Sequence, residues 1–260
     1  MVPLAEVAAL AALLLASGCA QRPADGEWIE LFNGRDLSHW VVKIAGHEVG
    51  EDTLQTFRVE DGVLKVRYDR YGAFDEQFGH LFYDRSFARY HLLVEYRIVG
   101  DWLPDVPEWA RANSGVMLFA QDPHTMPRDQ DFPISVEMQL LAGLGDGSPR
   151  PTANMCSPGT DVSMGGRPVV DHCVNSTSRT YEGDGWVRVE GIVLGDSLVT
   201  QIVDGDTVLQ YSSPRIGGGV VNGYDPAQKV NGRPLRSGYI ALQGEGQPVE
   251  FRRVALRVLR

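Results

Sequence analysis

The sequence predicts an all-β fold, a sandwich of antiparallel sheets, on three observations. Short runs rich in Val, Ile, Leu, Phe and Tyr recur about every 8 to 15 residues. Turn signals such as Asn33-Gly34, Asp61-Gly62 and Asp204-Gly205 separate them. No stretch repeats its apolar positions with the 3.6-residue period of an amphipathic helix.

Residues 28–40 open the domain around the Asn33-Gly34 turn, and residues 57–66 read as a hairpin closed by Asp61-Gly62. Residues 78–82 and 91–99 follow as strands. Side chains alternate across a strand, so in the second of these Leu92, Val94, Tyr96 and Ile98 share one face and Glu95 and Arg97 the other. Residues 101–112 form a loop with Pro104 and Pro107, and residues 114–120 and 134–141 are the next strands. Residues 142–175, rich in Gly and Pro, read as a long irregular insertion, and insertions of that size are commonly functional or disordered. Residues 186–194, 198–203 and 207–211 are strands, Gly217-Gly218-Gly219 begins a second loop, and residues 238–243 and 249–259 close the chain. No composition break divides residues 27–260, which read as one domain.

Hydrophobic residues make up 43% and charged residues 22% of the 260-residue chain, proportions that allow a buried core. The net charge is −10 and no basic run stands out, so the electrostatic footprint of a nucleic-acid binder is missing. Such acidity fits a neutral partner better than an anionic polymer.

Residues 4–16 are apolar apart from Glu6, and Ala16-Ser17-Gly18-Cys19 follows. A short hydrophobic region ending in small residues reads as an export signal over residues 1–18. A cysteine directly after Ala-Ser-Gly resembles the bacterial lipoprotein processing box, which makes Cys19 a lipidated N-terminus joined to the domain by residues 19–26. The region before the apolar run lacks Lys and Arg, and Ala16 stands where Leu is commoner; a cleaved signal without lipid is the alternative. No later run reaches the roughly 18 apolar residues of a membrane span. Export suits the remaining cysteines, Cys156 and Cys173, whose bridge would staple the insertion in an oxidising compartment. A metal site is the poorer reading, because the pair is too far apart for Cys-x-x-Cys and His172 is a lone neighbour.

The most informative stretch is residues 132–141. Val136, Met138 and Leu140 point one way and read as core; Ser135, Glu137 and Gln139 point the other. A carboxylate in mid-strand carries a desolvation cost unless its face lines a wet cleft. Glu137 and Gln139 therefore either floor a polyol-binding groove or belong to an ordinary solvated sheet face. Arg128-Asp129-Gln130-Asp131 holds calcium-type oxygen ligands but reads as a solvated loop. The triple glycine lacks the helix and Lys-Ser/Thr of a nucleotide loop. His80, His124 and His172 are scattered, with no metal-ligand spacing among them.

A set of motifs in fixed order completes the reading. It comprises Trp28-x-x-Leu31-Phe32-Asn33-Gly34-Arg35-Asp36-Leu37-x-x-Trp40, Tyr90-x-Leu92-x-x-Glu95-Tyr96-Arg97, Trp109-Ala110-x-x-Asn113-Ser114-Gly115 and Gln130-Asp131-Phe132-Pro133-x-Ser135-x-Glu137-x-Gln139. Then come Asn154-x-Cys156-x-Pro158-Gly159-Thr160, His172-Cys173 and Gly238-Tyr239-Ile240-x-Leu242-Gln243-x-Glu245. The set resembles the 3-keto-disaccharide hydrolase domain family over nearly all of residues 27–260. The resemblance implies a concanavalin A-like jelly-roll β-sandwich of two antiparallel sheets, one of them curved around a sugar. It also implies cleavage of 3-keto-glycosides at the anomeric carbon. A ketone at C3 acidifies the C2 proton, so a base can take that proton while an acid assists departure from C1. Elimination followed by hydration amounts to hydrolysis.

On that resemblance Glu137 is the candidate base, or a ligand if a divalent metal ion polarises the ketone. Glu245 is a second catalytic carboxylate. Asn113, Gln139 and Gln243 position hydroxyls or stabilise the enolate, and Arg97 either contacts substrate or pairs with Glu95. The family's usual close carries an acidic residue and then a His; Gln247 occupies the place of that His, which leaves His80 as a substitute acid. Gln139 beside Glu137 argues against the paired-acid mechanism of laminarinase-type glycosidases. A non-catalytic carbohydrate-binding module using the same groove is the rival reading.

Overall fold

The structure is a computed structural model and describes residues 26–260; the export signal and Cys19 lie outside the described residues. Among those residues the elements are strands and two single-turn 3₁₀ helices, Glu108–Ala110 and Pro123–Thr125. The strands form two antiparallel sheets of ten and seven strands.

The seven-stranded sheet carries the site. Its strands run in the order Cys173–Val174, Asn154–Cys156, Val136–Leu141, Asn113–Ala120, Tyr239–Gly244, Gly79–Tyr83 and Trp40–Ile44. In the other sheet the long strands Arg89–Ile98, Val187–Leu194 and Val249–Val258 lie side by side at the centre. Two-residue periodicity decides what enters the core. Val116, Leu118, Val136, Met138, Leu140, Ile240 and Leu242 from one sheet meet Leu92, Val94 and Tyr96 from the other in a single buried cluster. Each fully buried aliphatic side chain there stabilises the fold by roughly 1.5–3 kcal/mol.

The alternate side chains of each strand, among them Lys43, Phe82, Met117, Glu137, Gln139, Cys156 and Ala241, face away from that core. Part of this outer face is closed by a second apolar cluster of Phe82, Met117, Ala120, Met126 and Ala241, over which the Pro123–Thr125 turn folds. The remainder stays open as a cleft.

Two readings of the sequence are corrected here. Residues 142–175 are not irregular. They contain the strands Asn154–Cys156, Thr160–Met164, Arg167–Pro168 and Cys173–Val174, because Asn154–Cys156 adds to the edge of Val136–Leu141 and Thr160–Met164 to that of Asp206–Ile216. Tertiary pairing overrides the weak strand preference of Gly- and Pro-rich sequence. Trp40–Ile44, passed over as part of the domain opening, is a full edge strand paired with Gly79–Tyr83. The expected bridge forms: Cys156 and Cys173 are register partners, 4.1 Å apart at Cα and joined by a disulfide.

Candidate active site

A cleft of about 1150 Å³ lies on the outer face of the seven-stranded sheet, at the top of the range for small-molecule sites. Its floor is built from three adjacent strands. Val136–Leu141 turns Glu137 and Gln139 into the cleft by the same alternation that buries Val136, Met138 and Leu140. In the neighbouring strand Gly115 pairs with Gln139. A Cβ on Gly115 would lie 2.5 Å from Glu137 Oε1 and 2.8 Å from Gln243 Oε1. The side chains of Glu137 and Gln243 therefore meet above bare backbone, in space that only glycine leaves free. Beyond Gly244 the chain carries Glu245 into the cleft, where the Asn113 side chain hydrogen-bonds it.

These groups are buried and short of partners within the protein. Glu137 is 6% exposed, Glu245 2%, Asn113 1%, and Gln243 and His80 are also buried. Asn113 Oδ1, Glu245 Oε2, both amide atoms of Gln243 and both ring nitrogens of His80 have no hydrogen-bond partner in the protein. A buried polar atom left unpaired costs about 1–3 kcal/mol. Such costs gathered at a cleft floor mark a surface shaped to hydrogen-bond something polar. Gln139 is half committed: its Oε1 accepts from Asn154 Nδ2 at 3.0 Å.

The electrostatics separate the two carboxyl groups. Burial pushes Glu137 up to about 8. Burial, with the charge of Glu137 added, holds Glu245 well above the usual carboxylate range. Near neutral pH the pair is mainly protonated, and loss of one proton as pH rises leaves a carboxylate beside a carboxylic acid.

His80, the substitute acid that the resemblance suggested, is buried and not among the side chains that line the cleft. Burial, aided by the Lys43 charge, pushes it down to about 3, so its imidazole is neutral at physiological pH. It stands opposite Gln243 in register, edge-on to Phe132 with ring centroids 5.8 Å apart. Lys43, its partner on the other side, donates to the carbonyls of Ile44 at 2.9 Å and Arg128 at 2.8 Å, and so ties the 128–132 wall to the sheet. Gln247 is not in the cleft either. It accepts from Ala112 N and donates to the carbonyls of Val99, Gly100 and Pro248, a wholly structural role.

Arg97 is a further correction. It projects from the outer face of the ten-stranded sheet, on the far side of the core from the cleft, because its even-numbered neighbours Tyr96 and Ile98 face inward. Its guanidinium pairs with Glu250 at 2.6 Å, not with Glu95, and lies over Trp186; Glu95 instead pairs with Arg252 at 2.6 Å.

The walls hold residues that sequence reasoning passed over. Trp109 stacks on Phe78 with centroids 5.8 Å apart and planes 17° apart, and Phe132 packs on the same Phe78 at 4.7 Å. The only signal for Trp109 was its place in the family motif. Asp131, read as a solvated loop residue, accepts from the backbone and side-chain amides of Asn222 at 2.8 and 2.7 Å and pins that loop to the cleft wall. The disulfide closes the opposite wall, with Cys156 in register against Glu137.

A family model described as the 3-keto-alpha-glucoside-1,2-lyase-like domain matches residues 27–257. The chain belongs to this family. Two solved structures from Parabacteroides distasonis ATCC 8503, each described as a putative glycosyl hydrolase, share the fold. One has a TM-score of 0.54 at 16% identity, covering 90% of this chain and 100% of its own. The other has a TM-score of 0.53 at 17% identity, covering 90% and 94%. At that identity they speak for the two-sheet fold alone. No curated protein sequence matches the chain.

The donor set also bears on a metal. Among the described residues the one Cys/His/Asp/Glu cluster with converging ligand atoms is Cys156, His172 and Cys173, whose thiols are consumed by the disulfide. The unpartnered oxygens of the cleft-lining Glu245 and Asn113, and of Gln243 buried beside Glu137, are hard donors of the kind a divalent cation takes.

Proposed function

We propose that this member of the family cleaves 3-keto-glucosides by elimination across C1 and C2. The observation that carries the reading is the pair Glu137 and Glu245, two buried carboxyl groups that line one cleft. Glu137, once ionised, is the base that takes the C2 proton, made acidic by the C3 ketone. The C2–H electrons form the C1=C2 double bond, and the C1–O bond breaks. Glu245, which holds its proton to higher pH, gives that proton to the departing oxygen. In this reading the unpartnered amide NH₂ of Gln243, buried beside Glu137, donates to the developing enolate, and Gln139, oriented by Asn154, to a ring hydroxyl. Addition of water to the enol product completes a net hydrolysis.

A divalent cation is compatible with the same floor: Glu137, Glu245 and the carbonyl oxygens of Gln243 and Asn113 would hold it, and when bound it would polarise the ketone. Export and lipid anchoring at Cys19, facing the periplasm or the outer cell surface, form part of the proposal. They are supported by the apolar residues 4–16 and by a disulfide suited to an oxidising compartment. Incubation with 3-keto-trehalose and 3-keto-lactose, with and without chelator, tests the chemistry. Release of glucose from either disaccharide supports it, and binding of intact sugar without release would favour a lectin-like module.

A further inference from the structure

We infer that the outer part of the cleft is a subsite for the leaving group, built to accept an uncharged ring with an apolar face and to turn away an anionic one. The inference rests on the reading above and names the substrate class it takes. The first observation is Trp109. Its indole is 55% exposed and lines the cleft. It is not loose. Phe78, itself buried, backs the indole in a near-parallel stack, and the next residue, Ala110, is anchored in the core. Asn113 Nδ2 donates to the Trp109 carbonyl at 3.3 Å. Asn113 also bonds Glu245, the proposed acid. The platform is thus held in fixed relation to the group that protonates the departing oxygen. A pyranose or aryl ring leaving from C1 would find an aromatic face where it emerges.

The second observation is charge. Glu51, Asp75, Glu76, Asp129 and Asp131 line the cleft in addition to the catalytic pair, and Arg128 is the one Lys or Arg among the lining residues. Arg128 is already paired with Asp129 at 3.5 Å. A carboxylate, sulfate or phosphate on the leaving ring would enter a field of its own sign, focused by the cleft walls. Asn113 and Glu245, which line the same cleft, each keep a buried oxygen without a partner in the protein.

The test uses the full chain carrying Glu137→Gln, so that ligands stay intact, and measures affinity by calorimetry. The ligands are methyl and p-nitrophenyl 3-keto-glucosides and 3-keto-glucosyl derivatives of glucose and of glucuronic acid. The p-nitrophenyl and glucosyl ligands should bind about tenfold more tightly than the methyl ligand. Trp109→Ala should abolish that advantage and Trp109→Phe should retain much of it. The glucuronate should bind several-fold more weakly than the glucoside in low salt, with the gap closing at high salt. An unchanged affinity ladder in Trp109→Ala, or equal affinity for glucuronate and glucoside, would overturn the subsite. Turnover by the wild type judges the chemistry separately. A ladder without turnover keeps the subsite and removes the elimination, turnover with a flat ladder does the reverse, and no binding of any ligand removes both.

Discussion

The carboxylate of Glu137 occupies the space that a side chain on Gly115 would need, with Oε1 2.5 Å from the position of an added Cβ. Gln243 Oε1 closes the same space from the next strand at 2.8 Å. The geometry of the proposed base therefore depends on a missing methyl group one strand away. Gly115→Ala should displace both side chains, lower kcat by about two orders of magnitude and cost about 1–3 kcal/mol of stability as overpacking. Steady-state kinetics and denaturant unfolding read the two effects, and an unaltered kcat would remove Gly115 from the account.

The two acids should be separable by leaving group. Glu137→Gln should reduce turnover of every 3-keto-glucoside by about 10²–10⁴-fold. Glu245→Gln should do so for a sugar leaving group but only weakly for p-nitrophenolate, which departs without a proton. In the wild type the base form of Glu137 grows in as pH rises, so the acid limb of the rate profile should have its midpoint near about 8. A midpoint near the ordinary Glu value would assign the base elsewhere.

Stability should depend on pH with a sign opposite to that of most carboxylates. Glu137 rises from 4.5 in the free side chain to about 8 in the fold, and Glu245 also moves up. The folded chain thus binds more protons than the unfolded chain across that window, and stability conferred by the pair, complete below 4.5, is lost as pH climbs through about 8. His80 works the other way lower down. Its value falls from 6.5 to about 3, so its contribution is present above 6.5 and lost as pH falls toward 3. Between about 6.5 and 8 the carboxyl pair acts without that opposition. Glu245→Gln should flatten this alkaline decline in thermal melts taken at a series of pH values, and a decline as steep as in wild type would show that other groups cause it.

Arg97 should be silent in catalysis. Arg97→Ala removes one of two guanidiniums on Glu250, leaving Arg67 in place on the outer face of the ten-stranded sheet. We expect kcat/KM within twofold of wild type and a stability loss of about 1 kcal/mol or less, since Arg97 is partly exposed. A large fall in kcat/KM would place substrate on the wrong sheet.

The disulfide should matter to both stability and activity. Its cysteines are 17 residues apart, so Cys156→Ser with Cys173→Ser should cost about 3 kcal/mol by loop entropy. Because Cys156 sits in register against Glu137, turnover should fall at temperatures where the fold itself survives. Circular dichroism and initial rates on the same samples separate the two, and full activity in the double variant would limit the bridge to a structural role.

The amino-acid order by itself determined the strands and, through their two-residue period, which side chains of each strand share a face. That was enough to turn Glu137 and Gln139 away from Val136, Met138 and Leu140; the cysteine count, with Cys19 set aside, paired Cys156 with Cys173. It could not say which strands would become neighbours. Arg97 and Glu137 are both outward on their strands, yet one faces solvent across the core and the other floors the cleft, because outward has a different meaning on each sheet. Burial was likewise undecided: His80 and Glu245 carry ordinary side chains whose proton affinities move in opposite directions only when water is removed around them. The short strands of 154–174 and the exposed face of Trp109 arose from pairing and stacking partners far along the chain. Period is a local property of the backbone, whereas neighbour, solvent access and electric field are properties of the packed whole.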